Sequence, residues 1–232
     1  IGKVAKNRTA KAFVYRVHDQ PDLDKLQNFA DIAAHFGYKV RTKGSGRDIN
    51  KSINKMLEQA KGKPEEEMLA ILAIRSMAKA VYSATNIGHY GLAFDYYTHF
   101  TSPIRRYPDL MVHRLVEKYI LTGKKISLTR EELEEKCEHC SACEQEAAQA
   151  ERESVKMFQA LWMSDHIGEI HTGYVSGITD FGLFVQLDEN RCEGLIHISK
   201  IGDIRKYELG DTVTVKVVQT DVNRAFIDFE FA

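Results

Sequence analysis

The sequence predicts an α+β protein in which a helix-rich body of about 165 residues precedes a small closed barrel of five antiparallel strands. Two observations carry this reading. Apolar residues recur with the 3.6-residue period of helices through most of the first 165 positions, and after Gly168 the period drops to the two-residue alternation of strands. A third observation bounds the organisation: 232 residues exceed one average domain and make two modest ones, with 44% hydrophobic and 28% charged residues in the ordinary globular range. A mainly disordered chain, a collagen-like fibre and a disulfide mini-protein are thereby excluded. No stretch approaches the roughly 20 consecutive apolar residues of a spanning helix. The first residues, Ile1-Gly2-Lys3-Val4-Ala5-Lys6, hold no apolar signal core. A cytoplasmic protein without membrane contact is expected. Because the chain opens at Ile1 and ends on a strand-like run, it is also expected to be a portion of something longer.

The elements follow in order. From Pro21 to Phe36 the residues Leu23, Leu26, Phe29, Ala30, Ala33 and Phe36 keep helical spacing, with Asp22 able to cap the start and Gly37 the end. Arg41 to Arg47 reads as a basic, Gly-rich loop. Pro64 then opens a helix with Glu65, Glu66 and Glu67 in its first turn, running to about Tyr82. A third helix starts at Pro108, shows Leu115, Val116, Tyr119 and Ile120 as its stripe, and ends near Gly123. Thr129 with Glu132 makes a capping box for a long helix reaching about Asp165. Strands are predicted at Ile170–Ser176, Leu183–Leu187, Gly194–Ile198, Val213–Gln219 and Ala225–Phe231, separated by turn residues. Five short strands in about 65 residues suit a barrel, because closure removes exposed edges. The boundary is placed near Ile167, giving domains 1–166 and 167–232.

Charge is unevenly distributed. Residues 1–63 carry 14 Lys/Arg against 6 Asp/Glu, whereas 126–169 carry 4 against 11. A basic first half permits a phosphate-binding face despite a net charge of −1, the plain alternative being a solvated basic surface. Cys137, Cys140 and Cys143 repeat every third residue around His139, which invites a metal reading. In a helix, however, thiols at i, i+3 and i+6 rotate around the axis and cannot close one tetrahedral site.

Two stretches carry chemistry. In the barrel, Phe181 and Phe184 flank Gly182, and the alternation cannot bury both rings, so at least one faces out. Together with His197 on the adjacent strand they offer flat faces for stacking unpaired bases, or else simply fill the core. Upstream, His89 to His113 reads HYGLAFDYYTHFTSPIRRYPDLMVH, with seven aromatic or His residues before Thr101. A Ser-Pro step then delivers Arg105 and Arg106 ahead of a helix, and a guanidinium fork takes phosphate oxygens bidentately. For Arg106 a structural pairing with Asp109 is the favoured alternative; for Arg105 it is not.

Residues 168–231, with the steps DFGLFV, EGLIHIS and LGD in order, resemble an S1-type RNA-binding domain, an OB-fold. That resemblance assigns Phe181, Phe184 and His197 to the single-strand RNA face, and more loosely Asp221 and Arg224. The stretch from His89 to His113, with FVYRVHDQPD and RSMAKAVYS upstream, is similar to the ribonuclease II/ribonuclease R family, nearer its ribonuclease R branch. These are processive 3′-to-5′ exoribonucleases that hydrolyse single-stranded RNA to nucleoside 5′-monophosphates with magnesium. The resemblance implies the C-terminal part of an RNB-type catalytic domain ahead of the S1 barrel. It makes Arg105 the arginine gripping phosphate beside the scissile bond, and Glu151 a residue touching the 3′-terminal nucleotide. The family's Asp-rich magnesium motif has no counterpart recognised in this sequence. The Mg2+ ligands and the first half of the catalytic domain are therefore expected outside the chain, leaving it able to bind RNA but not to cleave it. The alternative is a non-catalytic single-stranded RNA-binding protein of the same architecture.

Overall fold

The computed structural model describes residues 12–63, 65–123 and 128–232. The Pro64 start and the residues ahead of Ala12 lie outside that set. The chain divides into two compact units, 1–145 and 146–232, and the long helix runs through the division.

In the first unit, helix α1 (Leu23–His35) forms where the spacing predicts it. Asp22 caps it, accepting the N–H groups of Asp24 and Lys25. A helix not anticipated from the sequence follows: α2 (Gly46–Ala60), capped by Ser45, starts in the last residues of the predicted Arg41–Arg47 loop and fills a stretch to which no element had been assigned. Its buried residues Ile49, Ile53, Met56 and Ala60 are a helical stripe diluted by Asn and Lys, and the Gly-rich entry hid it. Helix α3 (Glu66–Ser76) then packs with α1 and α2 around Leu26, Phe29, Ile53, Met56 and Leu69, all essentially solvent-free. Each such side chain contributes roughly 1.5 to 3 kcal/mol.

Helix α3 stops six residues before the Tyr82 that the sequence suggested. Ser76 donates to the Ala73 carbonyl at 2.7 Å and Met77 turns extended. Val81–Ser83 instead forms strand β2, antiparallel to β1 (Tyr15–Val17), with Arg16 opposite Tyr82. Tyr82 is buried in a second cluster with Phe13, Met111, Val112 and Leu133, so tertiary burial overrode helical propensity. Helix α4 (Tyr107–Val116) continues into a single π turn, Glu117–Leu121. Helix α5 (Arg130–Ser164) starts at the expected capping box, Thr129 Oγ1 accepting from Glu132 N–H and the Glu132 carboxylate from Thr129 N–H. Cys137, Cys140 and Cys143 fan around it from buried to exposed, all as free thiols. Burial pushes the Cys137 thiol up to about 12.

The second unit is the predicted barrel. Strands β3 (Ile170–Thr179), β4 (Gly182–Leu187), β5 (Glu193–His197), β6 (Thr212–Asp221) and β7 (Phe226–Phe231) close in the order β3-β4-β5-β7-β6. Four neighbouring pairs are antiparallel. The β5–β7 pair is parallel because the chain leaving β5 passes to β6, beyond β7, before returning. Leu183, Val185, Ile196, Val215, Val217 and Phe229 fill the interior, with Ala160 and Met163 of α5 packed against them.

The β3–β4 corner depends on Gly182. Its φ is +152°, and a Cβ there would lie 2.1 Å from the Ile196 carbonyl oxygen. Gly182→Ala is expected to destabilise the barrel by about 2 kcal/mol or more. Urea unfolding followed through the β-sheet circular dichroism checks this; an unchanged midpoint would refute it.

Candidate functional site

The basic and aromatic stretch of the first unit is laid out by backbone pairing. Residues 94–98 run beside β1: Arg16 N–H donates to Tyr97 O at 3.0 Å, and Thr98 Oγ1 donates to Val14 O at 2.9 Å. The rings consequently meet in a chain. His18 lies 5.0 Å from His89, His89 5.1 Å from Tyr97, Tyr97 5.6 Å from His99, and His99 5.6 Å from Tyr82, all edge to face. The Arg16 guanidinium sits 4.6 Å over the Tyr82 ring and forks onto Glu144 at 2.5 and 3.1 Å. Burial, with Arg106 and Arg16 nearby, holds the His99 imidazole below its ordinary range. Burial raises the Tyr82 hydroxyl to about 12, so it remains protonated and engaged with His99 Nδ1 at 2.8 Å.

The two arginines part company at the proline turn. Ser102 O accepts the N–H groups of Arg105 (3.3 Å) and Arg106 (3.0 Å), closing the Ser102–Pro103–Ile104–Arg105 turn with proline at its second position. Asp109, fully buried in the first turn of α4, accepts from Ser102 N–H at 2.8 Å and from the Arg106 guanidinium at 3.0 Å. Arg106 therefore takes the structural role weighed for it, with its Nε buried and unpartnered. Arg105 is exposed, and among the described residues its guanidinium has no hydrogen-bond or ion-pair partner. The site thus presents one free fork, on a turn that a buried carboxylate fixes.

In the second unit the outward positions of β4 and β5 carry the rings. Phe184 points away from the core between inward Leu183 and Val185, and lies over Gly177 of β3. Phe181, in the corner, is half exposed and meets Phe184 edge to face at 5.9 Å. Phe181 O accepts Ile198 N–H at 2.8 Å, and Gly182 pairs with His197, which brings the imidazole to the same end of the barrel. His197 Nδ1 accepts Ser199 N–H, leaving Nε2 as an outward donor in the neutral ring. The outer face adds Tyr174, hydrogen-bonded to Gln186, and Ser176, bonded to Glu193.

Asp221 and Arg224 are not gathered with these. They close the β6–β7 turn, Arg224 N–H donating to Asp221 Oδ1 at 3.0 Å. Phe226, opposite Asp221, sits level with Glu193, four residues from His197 along β5, or about 13 Å. Glu151 is exposed on α5 without a partner among the described residues.

Sequence reasoning missed Arg16, Tyr82, His99 and Asp109 as one network. They come from distant positions, and only the alternation of His and Tyr through 89–99 hinted at it. It also read Asp22 only as a helix cap and passed over the group it makes with Asp19 and Asp24, three aspartates within six residues. Asp22 is the α1 cap and Asp19 accepts from Gln20 N–H. Among the described residues no group of three or more His, Cys, Asp or Glu side chains is placed to hold a metal ion.

The RNB domain model matches residues 1–122, more than half the chain, and the S1 RNA binding domain model matches residues 164–231. The chain belongs to the RNB family. It is 42% identical to ribonuclease R 1 of Lactococcus lactis and 40% identical to ribonuclease R of Aquifex aeolicus, in each case over 94% of this chain and 29% and 33% of those proteins. Its fold matches that of Mycoplasma genitalium RNase R in complex with ribose methylated single-stranded RNA, with TM-score 0.89 and 29% identity. That match covers all of this chain and 39% of the other. The chain thus spans about a third of the curated relatives it matches. The expected α+β architecture, an RNB part followed by an S1-type OB barrel, is the one observed. No described helix is long and apolar enough to cross a membrane.

His99 supplies a test of the ring network. Its depressed imidazole is neutral in the fold, while in the unfolded chain it takes up a proton near pH 6.5, so folding is favoured above that pH and loses this contribution as pH falls. The urea midpoint is expected to drop between pH 7 and 5, and His99→Gln to reduce that drop. Identical pH profiles for the two proteins would refute it.

Proposed function

We propose that this chain is the RNA-engaging portion of a processive cytoplasmic exoribonuclease that hydrolyses single-stranded RNA from its 3′ end to nucleoside 5′-monophosphates. Residues 1–166 would be the C-terminal part of the catalytic domain and 167–232 the RNA-binding barrel. The observation that carries this is the unpaired Arg105 guanidinium on a turn locked by Asp109. The backbone that carries this cation is fixed before the ligand arrives, so only the side chain's own freedom is lost when it meets a phosphate. The family relation, and the single-stranded RNA bound by the Mycoplasma genitalium enzyme, support RNA as that ligand.

In this reading Arg105 grips the phosphate at the reacting end and stabilises the negative charge that develops there. Arg106 and Asp109 hold the turn. Glu151 presents free carboxylate oxygens that accept hydrogen bonds from the hydroxyls of the terminal nucleotide. On the barrel, Phe181 and Phe184 stack unpaired bases at roughly 1 to 3 kcal/mol each, and His197 donates from Nε2. Because residues 170–232 carry 10 Asp/Glu against 6 Lys/Arg, stacking rather than bulk attraction sets their affinity. Asp221 and Arg224 serve that strand only through the β6–β7 turn. Magnesium, when bound, would activate the attacking water. Its ligands are assigned outside this chain, in the remaining part of the catalytic domain.

Three measurements test the reading. The 232-residue chain is expected to bind single-stranded RNA without degrading it, and magnesium-dependent release of nucleoside monophosphates by this chain alone would overturn that division of labour. In the intact enzyme Arg105→Ala should lower kcat about 100-fold or more with a smaller loss of RNA affinity; equal losses would make it a general binding residue. Phe181→Ala with Phe184→Ala should weaken binding by about tenfold or more, and unchanged affinity in a folded barrel would remove the stacking platform.

A further inference from the structure

Six exposed cations of the first unit fall on one short stretch: Lys39, Arg41, Lys43, Arg47, Lys51 and Lys55. Four of them, Lys39, Arg41, Lys51 and Lys55, line a shallow cavity of about 460 Å³ together with Ser52 and a single carboxylate, Asp48. The cavity has a fixed frame. Arg41 N–H donates to Ser52 Oγ at 2.9 Å, pinning the segment after Tyr38 beside the outer face of α2, while Ile49, Ile53 and Met56 bury the opposite face.

Positive charge is in excess there. Among the described residues none of the four cations has an ion-pair partner. Asp48 is engaged with the Ser45 hydroxyl at 2.6 Å, which is the main cause holding its carboxyl below the ordinary range, with Lys51 and Arg41 adding. Arg47, Lys51 and Lys55 recur at every fourth residue, a ridge of like charges in steps of about 6 Å. Like charges at that spacing destabilise a helix. A ligand with regularly repeated negative charge removes the repulsion.

We infer that this cavity is a second RNA site, in which Lys39, Arg41, Lys51 and Lys55 grip successive backbone phosphates of a strand without regard to base sequence. The inference rests on the chain's reading as an RNA-binding protein and adds a contact distinct from Arg105 and the barrel rings. A polyphosphate strand is favoured over an acidic protein by what adjoins the ridge. Arg47 lines a neighbouring cavity of about 450 Å³ with the rings of His18, His89, Tyr90 and Phe94 and the carboxylates of Asp19 and Asp95, and the Phe94 ring is half exposed. Cations beside flat rings suit nucleotides, whose bases use the rings; a run of carboxylates has no use for them.

The test is RNA binding by the whole chain, read by fluorescence anisotropy with a labelled oligoadenylate over a series of salt concentrations. Lys39→Ala, Lys51→Ala and Lys55→Ala combined should weaken binding about tenfold or more near 0.1 M salt, and flatten the dependence of log affinity on log salt by about 2, since each lost contact removes about 0.7. Asp48→Asn, which deletes the carboxylate of the cavity, should move affinity the other way. A wild-type chain that binds RNA while the triple variant keeps its affinity and salt slope would overturn this site alone. A wild-type chain that binds no RNA would overturn the functional reading and this site with it. If the triple variant loses polyglutamate binding but keeps RNA binding, the cavity belongs to an acidic protein and the inference fails.

Discussion

A carboxylate without access to water organises the first unit's exposed chemistry. Asp109 sits where the first turn of α4 favours negative charge, and there it receives the Ser102 amide and the Arg106 guanidinium. Burying a charge is costly unless it is paired and hydrogen-bonded, so the turn and the helix cannot shift independently. Ser102 in turn accepts from both arginine amides, which leaves the Arg105 side chain pointing outward from a rigid base. One of two adjacent arginines is thus consumed in making the other available, a division that chemically identical neighbours could not reach without asymmetric surroundings.

The barrel solves a related problem with different means. Closure pairs every strand, so outward positions are free to carry rings rather than edge-protecting charges. Gly182 lets β4 start against the Ile196 carbonyl, and so sets the corner from which Phe181 and Phe184 are presented. The cost of exposing Phe181 is borne by a core in which Leu183, Val185 and Ile196 exclude solvent completely.

Much of this was legible in the residues. The change of period near Gly168, the capping box at Thr129 and Glu132, and the alternation through Leu183–Leu187 depend on contacts between near neighbours in the chain, so spacing reveals them. Helix α2 escaped because its stripe of Ile49, Ile53, Met56 and Ala60 lies behind a Gly-rich entry and among polar residues. The overextension of α3 had the opposite cause: residues 77–82 suit a helix locally, but Tyr82 gains more from burial beside Phe13 and Leu133.

By itself the sequence determined the class of fold, most of the helices, the five strands of the barrel, and the residue types able to meet a phosphate or a base. Only the tertiary structure decided which of those residues remain available. Arg105 and Arg106 are the same residue type, and aspartates that cap helices look the same in the chain as aspartates that could bind metal. Spacing put Arg106 beside Asp109; that Asp109 is buried, and so holds Arg106 while Arg105 stays exposed, depends on packing between segments far apart in sequence, such as Met111 and Val112 of α4 against Phe13 and Leu133.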